Sequence, residues 1–392
     1  MPLALWALTI CAFAVGTTEF VIVGLIPIIA IDLGVSLPSA SLLVSLYALG
    51  VTIGAPVLTA LASGMNRKRL LLAVLVLFTV GNMFAAFAPG YNTLVAARFV
   101  TGLAHGVFFA IGSTIATNLV SKDKESSAIA LVFMGLTVAL VTGVPIGTWV
   151  GQIFGWQSTF HCVVLMALIG LISCAILVPS DLKQSVAPTL HQQIQVLTSP
   201  RLLLVYLITA IGYGGNFIAF TFLAPMLTEV TGLNTGMIGV VLLLYGVSVA
   251  VGNIVGGKLA DRIGPVASLT WIFTSLAVTL MLMGLVLNIT WGAFTVVLFW
   301  GGFAFGNVPP LQSYVVQIAR EVAPGAVDVA SGLNIGAFNL GIALGAGFGG
   351  VAVENFGLAV IPYLAAAVVA SSVLLVRLSG FLDTQFNIEL VK

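Results

Sequence analysis

The chain has 392 residues, 60% of them hydrophobic, and only 6% carry a charge, where a globular chain averages about 25%. A water-soluble fold is excluded, and 43 glycines fit helices that pack closely in lipid. A net charge of +1, with no basic cluster larger than Arg67-Lys68-Arg69, excludes a nucleic-acid-binding surface.

The apolar N-terminus from Leu3 to Ile31 exceeds a signal-peptide core and has no basic leader, so it is expected to form a first transmembrane helix. With about 20 residues per span as the ruler, further apolar segments follow at 39–62, 69–88, 92–119, 125–152 and 157–178. The stretch 179–199, with Asp181, Lys183, Pro188 and His191-Gln192-Gln193, is more polar and reads as a central loop. Six more spans are expected at 200–229, 235–258, 266–287, 290–318, 326–352 and 357–378, before a tail at 379–392. Runs such as Leu70 to Leu77 are apolar on every face, so helices rather than barrel strands cross the bilayer. Cys11, Cys162 and Cys174 lie inside these apolar stretches without ligand spacing and read as small apolar side chains.

Charge placement sets an expected topology. Residues 126–180 and 263–319 carry no Asp, Glu, Lys or Arg, so each run holds a hairpin with an uncharged tip. Of 13 Lys and Arg, all but Arg98 fall in or beside the even-numbered loops or the C-terminal tail, including Lys122, Lys124 and Lys392. Both termini and the central loop are therefore expected in the cytoplasm.

Sliding the chain along itself by 198 residues aligns Pro27 with Pro225, Gly34 with Gly232, Tyr47 with Tyr245 and Gly54 with Gly252. The offset drifts to 200 for Gly102/Gly302 and Gly106/Gly306, and to 202 for Gly143/Gly345, Gly147/Gly349 and Gly155/Gly357. Each half holds six spans starting from the same side, the pattern of parallel repeats about an axis along the membrane normal. The fold expected is all-α: twelve transmembrane helices in two pseudo-symmetric six-helix bundles, residues 1–178 and 200–378, joined by the loop 179–199.

Few polar groups lie deep in these spans. Glu19 stands about 18 Å below the external end of the first span, near the bilayer midplane. An ionised carboxylate at that depth is costly, so it either carries a proton or finds a cation, and it reads as a functional residue rather than a packing one. Its repeat counterpart is Phe217, which takes it out of the packing shared by the halves. Arg98 lies about 9 Å inside the external end of the fourth span. Arg98, Gly102 and His105 share one helical face at i, i+4 and i+7, with the glycine allowing close approach. Arg98 is a candidate for coupling or gating against a structural role on carbonyls, and His105 for accepting a proton or binding substrate against plain packing.

In the fifth span Gly143, Pro145 and Gly147, with Gly135 and Gly151, give a smooth face and a missing backbone hydrogen bond, so this helix is expected to bend and pack tightly. Candidates for lining a substrate cavity are Tyr47, Tyr213, Asn216, Tyr245, Asn253, Trp300, Asn307, Gln312, Asn334 and Asn339, all of which could equally tie helices together. Asp32 reads as the wet end of the first span, His161 as structural and His191 as solvated.

Over nearly the whole chain these features resemble the major facilitator superfamily. The segment Gly257-Lys258-Leu259-Ala260-Asp261-Arg262-Ile263-Gly264 is similar to the family's loop signature between spans eight and nine, which implies a cytoplasmic latch at Asp261 and Arg262. The equivalent first-half loop departs from it, with Thr59, Ser63, Gly64 and Asn66 where Gly, Asp, Arg and Gly are expected. Leu94 to Gly106 resembles the fourth-span motif built around an Arg, linked in that family to proton coupling. Gly143 to Gly147 resembles the antiporter motif of span five, with Val144 where Gly is more usual. With Thr17-Thr18-Glu19-Phe20, these resemblances point to the twelve-span drug:proton antiporters of the arabinose-efflux and chloramphenicol-resistance type.

The resemblance implies proton-coupled efflux of small amphipathic or neutral solutes across a bacterial inner membrane by alternating access. The expected protein works as a monomer, needs no cofactor beyond the proton gradient, and is not an enzyme. No GxxxxGK[ST] loop exists, so ATP is not the fuel. The alternatives are a proton-coupled importer of a sugar or nucleoside and, from another class, a non-transporting membrane receptor.

Overall fold

The computed structural model describes residues 2–58, 65–121, 125–180, 182 and 190–391. Thr59, Ser63, Gly64, Lys122, Lys124, Asp181, Lys183, Pro188, Lys392 and the His191 side chain lie outside what is described.

Among the described residues every regular element is a helix. Eleven are long and apolar enough to cross a membrane, and Leu37–Ile53 is a shorter apolar helix in the position of the second span. In chain order these are α1 (Leu3–Asp32), α2 (Leu37–Ile53), α3 (Arg67–Ala86), α4 (Tyr91–Asn118), α5 (Ala128–Phe154) and α6 (Trp156–Leu177). A short helix, α7 (Leu190–Thr198), follows. The second set is α8 (Pro200–Val230), α9 (Thr235–Ile263), α10 (Pro265–Val286), α11 (Thr290–Val322), α12 (Val329–Phe356) and α13 (Leu358–Asp383). Eleven of the twelve expected spans are thus helices of bilayer-crossing length, and the shorter Leu37–Ile53 stands in the place of the second.

Three differences have local causes. The central stretch holds α7, whose polar His191-Gln192-Gln193 hides it from a ruler built for bilayer-length apolar runs. The last helix continues through the tail to Val391, anchored by Asp383, which accepts hydrogen bonds from Arg201 Nε at 2.8 Å and the Tyr314 hydroxyl at 2.6 Å. The tenth span breaks at Asn307, before Pro309 and Pro310, whose missing N–H groups interrupt the helical ladder.

Two compact units form. The first comprises Met1–Val186 with Thr221–Gly246, the second Ala187–Phe220 with Val247–Lys392. In the first, α1 packs on α5 and α6, and α4 on α2 and α3; in the second, α8 packs on α12 and α13, and α10 on α13 and α11.

The internal repeat is written into backbone geometry. Gly34 and Gly232, aligned by sequence, both take positive φ, at 61° and 75°, just beyond a helix, and so do Gly155 and Gly357, at 86° and 76°. A left-handed conformation is costly for a residue with a Cβ, which explains why glycine is kept at both copies. At the α2–α4 crossing a Cβ on Gly102 would collide with the Tyr47 carbonyl, and at the α9–α11 crossing a Cβ on Gly252 would collide with the Gly302 carbonyl. Because the obstacle is backbone, Gly102→Ala is expected to cost about 1–3 kcal/mol and to lower the thermal midpoint of purified protein. An unchanged midpoint would show that the helices separate freely. Where the repeat departs, chemistry substitutes: Gly264 opens α10 at φ 81°, whereas its counterpart Asn66 has φ −56° and caps α3 through Oδ1, accepting from Lys68 N at 3.0 Å and Arg69 N at 3.3 Å.

Candidate functional site

The polar groups singled out in the first half meet at the junction of α1, α2 and α4. Arg98 is 1% exposed, and its hydrogen bonds all go to main-chain carbonyls: Nη1 to Thr18 O at 2.7 Å, Nη2 to Glu19 O at 3.4 Å and Nε to Leu43 O at 3.2 Å. Its guanidinium carbon sits 4.0 Å from the centroid of the Tyr47 ring, a cation–π contact away from water. The fork thus joins α1 to α2 while anchored on α4, and it fixes the backbone that carries Glu19.

Glu19 is 8% exposed, and its Oε2 lies 4.0 Å from His105 Nδ1. The same nitrogen is 3.0 Å from the Tyr47 hydroxyl. The hydroxyl donates when the ring proton is on Nε2, and the ring donates when it is on Nδ1. His105 also packs against Phe109, ring centroids 5.0 Å apart, which holds the imidazole plane. Glu19 and Tyr47 therefore both approach one nitrogen of His105, in a buried cluster beside the Arg98 cation. Gly102, one turn from both Arg98 and His105, lets α2 approach closely enough to place Tyr47 between them.

Removing only the hydroxyl, in Tyr47→Phe, keeps the ring under Arg98 and deletes the bond to His105. We expect a stability loss of about 0.5–1.5 kcal/mol, read as a lowered unfolding midpoint. An unchanged midpoint would mean that the contact contributes nothing.

The fifth-span glycines have a definite partner. A Cβ on Gly143 would run into Thr17 Oγ1, and one on Gly147 would meet Val21 Cγ2 at 2.8 Å and Thr159 Cγ2 at 3.1 Å. On α1 these contacts fall at Thr17 and Val21, two residues before and two after Glu19. A π-helical turn, Ala139–Gly143, directly precedes the segment containing Pro145, absorbing its missing N–H.

In the second unit most of the amides are bound to other helices or to their own. Asn216 accepts from Trp300 Nε1 at 2.6 Å, linking α8 to α11. Asn334 accepts from Thr209 at 2.7 Å and donates to Gln312 Oε1 at 2.8 Å, while Gln312 also binds Ser331. Asn307 donates to Phe303 O at 3.1 Å and Ala304 O at 2.9 Å, closing the break in α11. Tyr213 stacks with Phe217, Phe305 and Phe338. Tyr245 is buried and belongs to the first unit; Asn253 is half-buried in the second. Asn339 donates to Ile335 O at 3.0 Å.

Asp261 and Arg262 are exposed on the last turn of α9, and neither forms an ion pair among the described residues. Asp32 is exposed and accepts from Trp156 Nε1 at 2.7 Å. His161 lies edge-on to Phe87, centroids 4.9 Å apart. Cys11 and Cys174 are buried with their sulfurs 3.7 Å apart, whereas Cys162 is exposed.

Sequence reasoning quoted Thr18 only as part of the Thr17-Thr18-Glu19-Phe20 segment and missed its partner Asn82. The Thr18 hydroxyl donates to Asn82 Oδ1 at 2.6 Å, and both are buried, tying α3 to the turn that holds Glu19. An amide inside the apolar run of α3 was the available signal.

The family profile described as Major Facilitator Superfamily matches residues 8–327. The MFS-type transporter YtbD of Bacillus subtilis (strain 168) is 47% identical over 380 residues, covering 97% of this chain and 96% of that protein. The chloramphenicol resistance protein of Streptomyces lividans is 34% identical over 356 residues, covering 88% of each. The crystal structure of the human organic anion transporter MFSD10 (TETRAN) shares the fold, with a TM-score of 0.69 at 17% identity, over 95% of this chain and 97% of that one.

Proposed function

The chain belongs to the major facilitator superfamily of multi-pass membrane transporters, which are not enzymes, and from that premise we propose that it is a proton-coupled exporter of small neutral or amphipathic solutes in a bacterial plasma membrane. The observation that carries the proposal is the buried Glu19 carboxyl, 4.0 Å from His105 in a unit where Arg98 is spent on carbonyls. A carboxyl held deep in the membrane without a dedicated cation is suited to gain and lose a proton as its access to water changes. The efflux direction is supported by the resistance protein among the relatives.

In the cycle we propose, Glu19 takes a proton from outside, with His105 and Tyr47 as relay. Alternating access then exposes it to the cytoplasm, where proton release and solute binding exclude one another. Each proton moving down 100 mV supplies about 2.3 kcal/mol, enough for roughly a 50-fold solute gradient.

The test is solute movement in proteoliposomes under an imposed pH gradient, with radiolabelled chloramphenicol and a pentose as probes. Protonophore-sensitive export of either probe against its gradient supports the reading. Movement in the same direction as the proton would make the protein an importer, and no proton-linked movement of either would overturn the reading.

A further inference from the structure

A threonine inside a helix commonly spends its hydroxyl proton on the carbonyl four residues back, and Thr17, Thr79 and Thr101 do so here at 2.8, 2.7 and 2.9 Å. Thr18 sends its proton to another helix. Its hydroxyl donates to Asn82 Oδ1 on α3 at 2.6 Å, where Thr18 is 0% and Asn82 1% exposed. The direction of that bond is fixed, because Asn82 Nδ2 donates to Phe78 O at 2.9 Å and leaves the oxygen to face Thr18.

This bond acts on a turn that is also held from α4. Arg98 binds the carbonyls of Thr18 and Glu19. Helix carbonyls point along the axis, so the Arg98 fork sets how deep α1 sits, whereas a side-chain bond leaving the helix sideways resists rotation about that axis. The α3 end of the bond is itself held: a Cβ on Gly81, next to Asn82, would strike Thr101 Cγ2 on α4 at 2.6 Å, so α3 and α4 are in close contact here. Rotation matters because a carboxyl about 6 Å from the axis moves about 2 Å when the helix turns by about 20°. Such a shift is comparable with the 4.0 Å that separates Glu19 Oε2 from His105 Nδ1.

The ionisable groups around Glu19 are Arg98 and His105 on α4 and Tyr47 on α2. Of the other elements packed on α1, α5 and the Leu223–Pro225 segment of α8 carry none. On α6, Cys174 faces Cys11, His161 lies against Phe87 and Cys162 is exposed. The basic residues of α3 end at Arg69, 13 positions before Asn82, about 20 Å of helix. The readiness of Glu19 to hold a proton therefore depends on its distance from the α4 and α2 groups. At the repeat offsets on either side of this segment, 198 and 200, the counterpart of Asn82 is Leu280 or Leu282, as that of Glu19 is Phe217. Asn82 and Glu19 thus belong to one half only, outside the packing that the halves share.

We propose that Asn82 is a positioning residue for the proton site: through Thr18 it fixes the rotation of α1, and with it the distance of the Glu19 carboxyl from His105 and Arg98. The proposal rests on the proton-carrying role of Glu19 and deepens it.

The experiment follows the infrared carbonyl band of the protonated Glu19 carboxyl, identified as the band that Glu19→Gln removes, through a pH titration of the purified protein. Thr18→Val, which keeps the shape and drops the hydroxyl, and Asn82→Leu are each expected to displace the midpoint of that titration by about one pH unit. The double variant should show no further displacement, since either change alone breaks the same bond. Thr18→Ser, which keeps the hydroxyl, should titrate as the wild type. A bond that serves stability alone would lower the unfolding midpoint and leave the titration where it was. That result, an additional displacement in the double variant, or Thr18→Ser behaving as Thr18→Val would each overturn the positioning role. If Glu19→Gln removed no band, the positioning role would fall together with the proton-carrying role of Glu19. Displaced midpoints in a protein that moves no solute with protons would leave the positioning role standing and remove the exporter reading. Proton-driven export with undisplaced midpoints would do the reverse.

Discussion

Glu19→Gln is expected to abolish solute movement driven by a pH gradient while leaving the protein folded and able to equilibrate solute downhill. Glutamine matches glutamate in size and can still hydrogen-bond, but it cannot exchange a proton, so the substitution removes the proposed coupling and little else. The site tolerates a neutral group, because Glu19 is 8% exposed and its contact with His105 Nδ1 is 4.0 Å long rather than a tight ion pair. In the variant, flux at fixed solute gradient should lose its dependence on pH, whereas in the parent it rises with the imposed gradient. The measurement pairs solute flux with a pH-sensitive dye inside the vesicles: wild-type protein alkalinises or acidifies the lumen in step with solute, and Glu19→Gln does not. Full proton-coupled export by the variant would remove Glu19 from the mechanism.

Arg98→Met should be the most destabilising single change in the first unit. It deletes three charge-assisted hydrogen bonds, to Thr18, Glu19 and Leu43, together with the contact over the Tyr47 ring. Such bonds are worth about 1.5–3 kcal/mol each when the groups left behind cannot reach water. The three are not additive, so a loss of about 3–5 kcal/mol is expected, a large part of a typical margin of about 5–15 kcal/mol. Arg98→Lys should recover only a fraction, because an ammonium is a single point donor and cannot span carbonyls on two helices as the planar fork does. Unfolding midpoints in detergent, ordered wild type, Lys and Met, check this. If Met unfolded with the wild-type midpoint, the fork would carry no structural load, and Arg98 would have to act through charge alone.

The twelve spans, the parallel repeat and the paired turn glycines could all be read from sequence, because each depends on local properties. Bilayer thickness sets the length of an apolar run, and a positive φ demands glycine wherever the turn recurs, as at Gly34/Gly232 and Gly155/Gly357. Glu19, Arg98 and His105 stood out for the same reason, since ionisable groups are conspicuous in a hydrocarbon stretch. Tyr47 was only one of ten cavity candidates, yet the fold sets it between Arg98 and His105. Asn82, the partner of the Thr18 hydroxyl, drew no notice, and most of the second-unit amides were found tying helices.

What the chain's sequence determined by itself is where the membrane spans lie, where they turn and which of them carry charge. Only the tertiary structure decided that Arg98 is consumed by carbonyls and that the fifth-span glycines press on α1. The reason is rotation about the helix axis. These spans are apolar on nearly every face, so periodicity does not say which side meets a neighbour. That choice belongs to packing between helices far apart in the chain, where small residues and a few polar contacts set the approach.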